Sequence, residues 1–125
     1  LTTILLPSGT KRIDDNAFSG NQLTELEIPA EISRIGNSAF RNNSLTSVKL
    51  LSGVAIIGNE AFRDNQLTSL VLPASLKIIG ESSFRNNKLA SVNMTGANTI
   101  EEIKAHVFQN NKLTSIYFPD SLNKI

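Results

Sequence analysis

The 125-residue chain contains no cysteine and no tryptophan, and it has only one histidine. The lack of cysteine excludes disulfides, thiolate metal sites and cysteine nucleophiles. The sequence also contains no phosphate-binding glycine loop, no HExxH or EF-hand spacing and no GxSxG motif. A serine triad would have to use His106, which precedes the apolar pair Val107-Phe108 and is best explained as a solvated surface residue. We therefore expect no catalytic activity, no cofactor and no metal site.

An excess of either charge is also missing. Twelve Lys and Arg residues face eleven Asp and Glu residues, which gives a net charge of +1. A general nucleic-acid-binding domain carries a marked basic excess, so we expect no nucleic-acid partner. No apolar run is long enough to cross a membrane, and no signal-peptide pattern is present in this sequence.

A repeat fills the chain from its first residue to its last. Four consecutive repeats are 22 residues long, and each begins with leucine; the starts are Leu1, Leu23, Leu45, Leu67, Leu89 and Leu113. A period in the twenties is typical of a solenoid, in which each coil buries its apolar face against its neighbours. We expect one domain, residues 1–125, with five full repeats and one partial repeat. Neither end carries a divergent capping repeat, so we expect the chain to be a piece of a longer protein.

Each repeat begins with a predicted strand. We number its positions from the leading leucine. Positions 4 and 6 are apolar in all six copies, and position 7 is proline in four. Apolar residues two apart predict a strand with one buried face, and proline at position 7 turns the chain out of the sheet. Further along, position 13 is always isoleucine, and Gly36, Gly58 and Gly80 at position 14 indicate a corner that needs positive φ or close backbone approach.

The second half of the repeat contains two invariant residues. Position 18 is phenylalanine in every full repeat, namely Phe18, Phe40, Phe62, Phe84 and Phe108. Successive coils lie roughly 4.8 Å apart, so these rings are predicted to form a continuous stack. The asparagine three positions later is predicted to form a ladder that satisfies backbone groups of its own turn and of the adjacent coil; its copies are Asn21, Asn43, Asn65, Asn87 and Asn111. The fifth repeat has two extra residues after Met94, which predict a surface loop.

The segment LTSLVLPASLKIIGESSFRNNK, residues 67–88, resembles the leucine-rich repeat of the BspA-like, or Treponema pallidum, type. LxxLxLP, IG and AF at fixed spacing carry the resemblance over the whole chain, although asparagine stands where that class often has cysteine. We expect a leucine-rich-repeat solenoid, a strand-rich right-handed coil with a parallel sheet on one face and short strands, turns or single helical turns on the other. The resemblance implies a bacterial, sometimes protist, surface or secreted protein whose repeats serve as adhesive or host-protein-binding modules.

The residues that vary between repeats are the candidates for binding. Position 5 points away from the core on the predicted sheet, and its six residues are unlike one another: Leu5, Glu27, Lys49, Val71, Asn93 and Tyr117. Exposed aliphatic and aromatic residues are typical of protein-binding sites. We therefore expect a non-catalytic module that binds a protein partner, such as a host extracellular or surface protein, through this face. The alternative is a structural spacer without a ligand of its own.

A basic column supports a weaker alternative. Arg41, Arg63 and Arg85 occupy position 19 on adjacent repeats, so the column is a possible anion-binding site for a glycan or another polyanion. The competing interpretation is that the arginine stems cover the phenylalanine stack and their charged groups lie in water beside Asp64 and Glu81. Position 12 becomes apolar in the middle of the chain, at Ile56 and Ile78, which form either a small exposed patch or additional core.

Overall fold

The computed structural model describes residues 4, 6–7, 9–94 and 96–119. The repeat start Leu1 and the candidate Leu5 lie outside these ranges. Regular structure in the described ranges consists of ten short strands and no helix: β1 Arg12–Ile13, β2 Glu25–Ile28, β3 Arg34–Ile35, β4 Ser47–Leu50, β5 Ile56–Ile57, β6 Ser69–Val71, β7 Ile78–Ile79, β8 Ser91–Asn93, β9 Glu102–Ile103 and β10 Ser115–Tyr117. The chain forms stacked parallel-strand coils, as expected of a leucine-rich-repeat solenoid.

The odd-numbered strands form one continuous parallel sheet in the order β1-β3-β5-β7-β9. Each residue pairs with the residue at the same position of the next repeat; Ile35, for example, pairs with Ile57. The invariant isoleucines point into the core, whereas position 12 points outward. Ile56 and Ile78 are half-buried neighbours on that outer side, so they form a partly exposed apolar patch rather than additional core.

The even-numbered strands begin at position 3 and end at position 5 or 6, and they do not form one sheet. β2 pairs with β4, and β6 pairs with β8 and then β10, but no ladder joins β4 to β6. The expected parallel sheet is therefore present but divided between the third and fourth repeats. We call the solvent side of these five strands the strand face.

The phenylalanine stack is present as predicted. Centroids of successive rings from Phe18 to Phe84 lie 5.5, 5.4 and 5.3 Å apart, with interplanar angles of 9° or less. The step from Phe84 to Phe108 widens to 6.1 Å. It spans the fifth repeat, which carries the two extra residues. At position 6 the expected burial fails at Phe118, which is 42% exposed.

Close packing explains the glycines at position 14. Gly36, Gly58 and Gly80 do not adopt positive φ; instead, a Cβ atom on Gly58 would lie 2.7 Å from the backbone of Gly36 and Asn37. Positive φ occurs at positions 16 and 20, where the residues are mostly not glycine; Glu60 and Asp64 have φ values of 57° and 61°. These two left-handed residues bend each coil around the phenylalanine ring and fix where the side chains of the outer turn point.

The extra residues of the fifth repeat form a loop that is tied to the preceding coil. Backbone N–H groups of Ala97 and Ile100 donate to the carbonyl oxygens of Met94 and Ala97. The hydroxyl of Thr99 lies 2.7 Å from the carbonyl oxygens of both Ala74 and Leu76. Ala97 is fully buried, so the insertion is anchored at its centre. The described part of the chain contains no helix that is long and apolar enough to cross a membrane.

Candidate protein-binding face

The position-5 side chains lie side by side along the strand face. Glu27 is in register with Lys49 on β2 and β4, and Val71, Asn93 and Tyr117 are in register on β6, β8 and β10. All five are exposed. Val71 and Tyr117, at 65% and 56%, are the two most exposed large hydrophobic residues of the described chain. The structure thus brings together five of the six sequence-predicted residues, and Leu5 lies outside the described residues.

The position-5 side chains are the most prominent on this face, because most of the outward-pointing residues beside them, at position 3, are short. Position 3 is serine on four of the strands, namely Ser47, Ser69, Ser91 and Ser115, and glutamate only at Glu25. A partner approaching the strand face therefore meets chiefly the position-5 side chains. Their character changes from acidic and basic at Glu27 and Lys49 to apolar at Val71, polar at Asn93 and aromatic at Tyr117. Because stacked coils hold the row in place, docking would cost little conformational entropy.

A groove interrupts the strand face where the sheet is divided. Its volume is about 370 Å³, and it lies between β4 and β6 with Val48, Leu50, Leu51, Val71 and Pro73 among its lining residues. Lys49, Ser47 and Ser69 form its polar rim. We call this feature the β4–β6 groove. Sequence analysis did not anticipate it, because each repeat separately satisfies the strand pattern.

The basic column is largely neutralised. Arg41 lies 3.5 Å from Glu60 and 3.6 Å from Asp64, and Arg63 forms ion pairs with the same two carboxylates. Asp64 is a partner as expected, but the second carboxylate is Glu60 and not Glu81. The left-handed conformation of residues 60 and 64 turns both carboxylates toward the arginines. Arg85 alone of the three has no carboxylate within 4.0 Å among the described residues.

Other polar residues of the outer turn have structural roles. The side-chain oxygen at position 15 accepts the backbone N–H of the next repeat: Asp15 from Asn37, Asn37 from Asn59, and Asn59 from Glu81, at 2.7, 2.8 and 2.9 Å. Sequence analysis missed this ladder, although the series Asp, Asn, Asn and Glu at position 15 signals it. His106 is exposed, and it is left-handed, as its equivalents in the other repeats are. No group of three metal-binding side chains occurs within residues 4, 6–7, 9–94 and 96–119.

Comparison with known families decides what kind of repeat this is. Residues 1–125 match the BspA type leucine rich repeat region in six copies. The chain belongs to this family. Two solved structures share the fold of this BspA-type region. One is a leucine-rich repeat protein from Eubacterium ventriosum (TM-score 0.65, 20% identity, covering 79% of this chain and 30% of that one). The other is the pneumococcal vaccine antigen PcpA (TM-score 0.67, 24% identity, covering 98% and 46%).

The BspA-type region spans less than half the length of either solved chain. No curated protein matches it. At these identities the solved structures establish the fold alone.

Proposed function

We propose that this BspA-type region is a non-catalytic protein-binding or adhesion module of a bacterial surface or secreted protein, and that it binds a macromolecular partner through the strand face. The observation that carries the proposal is a row of five unlike exposed side chains on the strand face: Glu27 and Lys49 are in register on one side of the β4–β6 groove, and Val71, Asn93 and Tyr117 are in register on the other. Membership of the BspA-type family supports it. The likeness to a protein described as a pneumococcal vaccine antigen supports a location at the cell surface or outside the cell.

A spacer without a ligand is the competing function. A spacer requires stacking but has no use for exposed anchors, and Val71 and Tyr117 expose more than half of their surface. Isolated apolar residues on a surface are common, but two on one row, one of them at the edge of a groove, are typical of an interface.

Binding of glycans or other polyanions through Arg41, Arg63 and Arg85 has less support. Glu60 and Asp64 pair with the first two arginines. Their carboxylates would repel a sulfated or phosphorylated ligand that approached the column.

The experiment compares two surface variants of equal size. One replaces Glu27, Lys49 and Tyr117 with alanine; the control replaces Arg34, Lys77 and Lys104, which are exposed and lie on or beside the odd-numbered strands. Each chain is immobilised and exposed to purified extracellular-matrix proteins. We expect the wild type and the control to retain the same protein and the strand-face variant to lose it. Equal retention by both variants, or no retention by the wild type, would contradict the proposal.

A further inference from the structure

The β4–β6 groove exposes part of the core layer at an interior junction of the strand face, between the third and fourth repeats. At position 4 Leu26, Leu70 and Val92 are 7%, 2% and 0% exposed, whereas Val48 is half-buried, as Ile4 and Ile116 are in the first and last described coils. The side chain of Val48 belongs to the core layer but borders the groove. An apolar group placed against it would be withdrawn from water and would gain roughly 25 cal/mol for each Å² of apolar surface buried.

Hydrogen bonds show that the opening is local. At the other junctions the threonine or alanine at position 2 donates its N–H to the preceding repeat: Thr46 to Thr24, Ala90 to Thr68, and Thr114 to Ala90, at 2.9, 3.0 and 2.9 Å. Thr68 makes no such bond to Thr46 within the described chain. Immediately before the groove, however, the N–H of Gln66 donates to Leu45 at 2.8 Å.

Beyond the groove the two coils are joined again. The N–H of Gly53 donates to the hydroxyl of Ser75, which donates to the carbonyl oxygen of Val54, both at 2.8 Å. The outer sheet, the phenylalanine stack and the asparagine ladder also run through this junction without a break. The groove is therefore a fixed depression bounded at both ends, not a frayed edge.

The lining of the groove specifies what it can accept. Leu51, Val71 and Pro73 are apolar walls, and about 370 Å³ lies at the low end of the roughly 300–1,000 Å³ of ligand sites. This space suits one large apolar side chain and not a whole domain. At the rim, Lys49 is exposed and has no carboxylate within 4.0 Å among the described residues. Its ammonium group is available to pair with a carboxylate of the occupant.

We propose that the β4–β6 groove binds an aliphatic or aromatic side chain of an extended protein segment, whose neighbouring Asp or Glu pairs with Lys49. Charge complementarity selects this occupant over an uncharged apolar molecule, because Lys49 stands at the rim beside exposed Val71. Glu27 is the next position-5 side chain on the strand face and is in register with Lys49. Its carboxylate favours a Lys or Arg at the next position of the bound segment, beyond the residue that pairs with Lys49. The inference rests on the proposed function and specifies the chemistry of the partner.

A displayed library of random peptides, selected against the full chain, tests this assignment. We expect enrichment of peptides with an aliphatic or aromatic residue next to Asp or Glu. Val71→Asp, at a largely exposed site, should weaken their binding about tenfold, the effect of removing an anchor worth roughly 1.4 kcal/mol. Lys49→Glu should change the selected neighbour from acidic to basic. Such a reversal is not produced by loss of folding.

Two control variants separate failure of this inference from failure of the proposed function. Tyr117→Ser alters the strand face outside the groove, and Lys77→Glu alters the chain away from that face. If Tyr117→Ser abolishes peptide binding while Val71→Asp and Lys49→Glu leave it unchanged, the assignment to the groove is wrong and the strand face remains the binding surface. Peptides unaffected by every strand-face variant, or no enrichment, would overturn both. A third outcome is that no peptide is enriched but the wild type self-associates and Val71→Asp abolishes this association. The groove would then bind a second copy of the chain, which would overturn the inference.

Discussion

The side-chain oxygen of Asn65 accepts a hydrogen bond of 3.1 Å from the backbone N–H of Leu45, which starts the same repeat. The amide nitrogen of Asn65 donates to the carbonyl oxygens of Phe62 in the same coil and Phe40 in the preceding one, both at 3.0 Å. One side chain therefore closes its own turn and fastens it to the neighbouring coil. Asn43 and Asn87 make the equivalent bonds.

Replacing Asn65 with alanine should lower the free energy of unfolding by about 2–4 kcal/mol. The change leaves the buried N–H of Leu45 unpaired, which costs roughly 1–3 kcal/mol, and removes one of the two amide donors to each of the carbonyl oxygens of Phe40 and Phe62. Gln66→Ala, at the exposed neighbouring site, is the control and should shift stability by no more than about 0.5 kcal/mol. Urea denaturation followed by circular dichroism measures both. Equal midpoints for the two variants would show that the ladder contributes little.

Two glycine substitutions test whether close packing is the reason for the glycine at position 14. A Cβ on Gly58 would lie 2.7 Å from the backbone of Gly36 and Asn37, whereas a Cβ on Gly96 would meet nothing within 4 Å. We expect Gly58→Ala to destabilise the chain by about 1–3 kcal/mol and Gly96→Ala to be neutral or stabilising by up to about 1 kcal/mol. Thermal unfolding of the two variants gives the comparison. A stable Gly58→Ala protein would mean that adjacent coils separate more readily than the structure indicates.

Hydrogen exchange tests the division of the strand face. The amide of Ala90 donates to Thr68, but the amide of Thr68 makes no corresponding bond to Thr46 among the described residues. We therefore expect the Thr68 amide to exchange much faster than that of Ala90, as unbonded exposed amides do. Exchange resolved by NMR provides the measurement, with Thr46 as a second protected amide. Equal protection at Thr68 and Ala90 would show that β4 and β6 pair in solution.

Removing two carboxylates should expose the basic column. Glu60→Ser with Asp64→Asn introduces residues that neighbouring repeats carry at the same left-handed positions, and it raises the net charge of +1 by two units. We expect stronger retention on a sulfated-glycan column at low salt, with steep loss as salt rises. Asp14→Asn with Glu101→Gln has the same net charge and should be retained less. Equal retention of the two double variants would mean that only overall charge matters, and that Glu60 and Asp64 do not mask the arginines.

The invariant residues could be interpreted from the sequence because one physical role fixes each of them. Phe62 has a ring above and below it at 5.4 and 5.3 Å, and Asn65 has the bonds that its position implied. The outward position of Glu27, Lys49 and Val71 followed from the two-residue period of a strand.

The division between β4 and β6 could not be predicted, because it depends on how two acceptable strands meet. Leu51 donates its N–H to Ile28 at 3.1 Å, whereas Pro73, one repeat later, has no N–H to donate to Leu50. This missing donor favours the opening but does not suffice, because β8 and β10 pair although Pro119 occupies the same position. The ion pairs of Glu60 could not be predicted either, because nothing in the sequence indicates that this glutamate adopts a left-handed conformation beside the arginines.

Photo-crosslinking tests most directly whether the strand face binds the partner. A photoreactive residue replaces Val71 in one protein and exposed Lys77, beside the odd-numbered strands, in another. Each is mixed with the matrix protein that the wild type retains and is then irradiated. The account predicts an adduct from position 71 and none from position 77. An adduct from position 77 alone, or equal adducts from both, would contradict it.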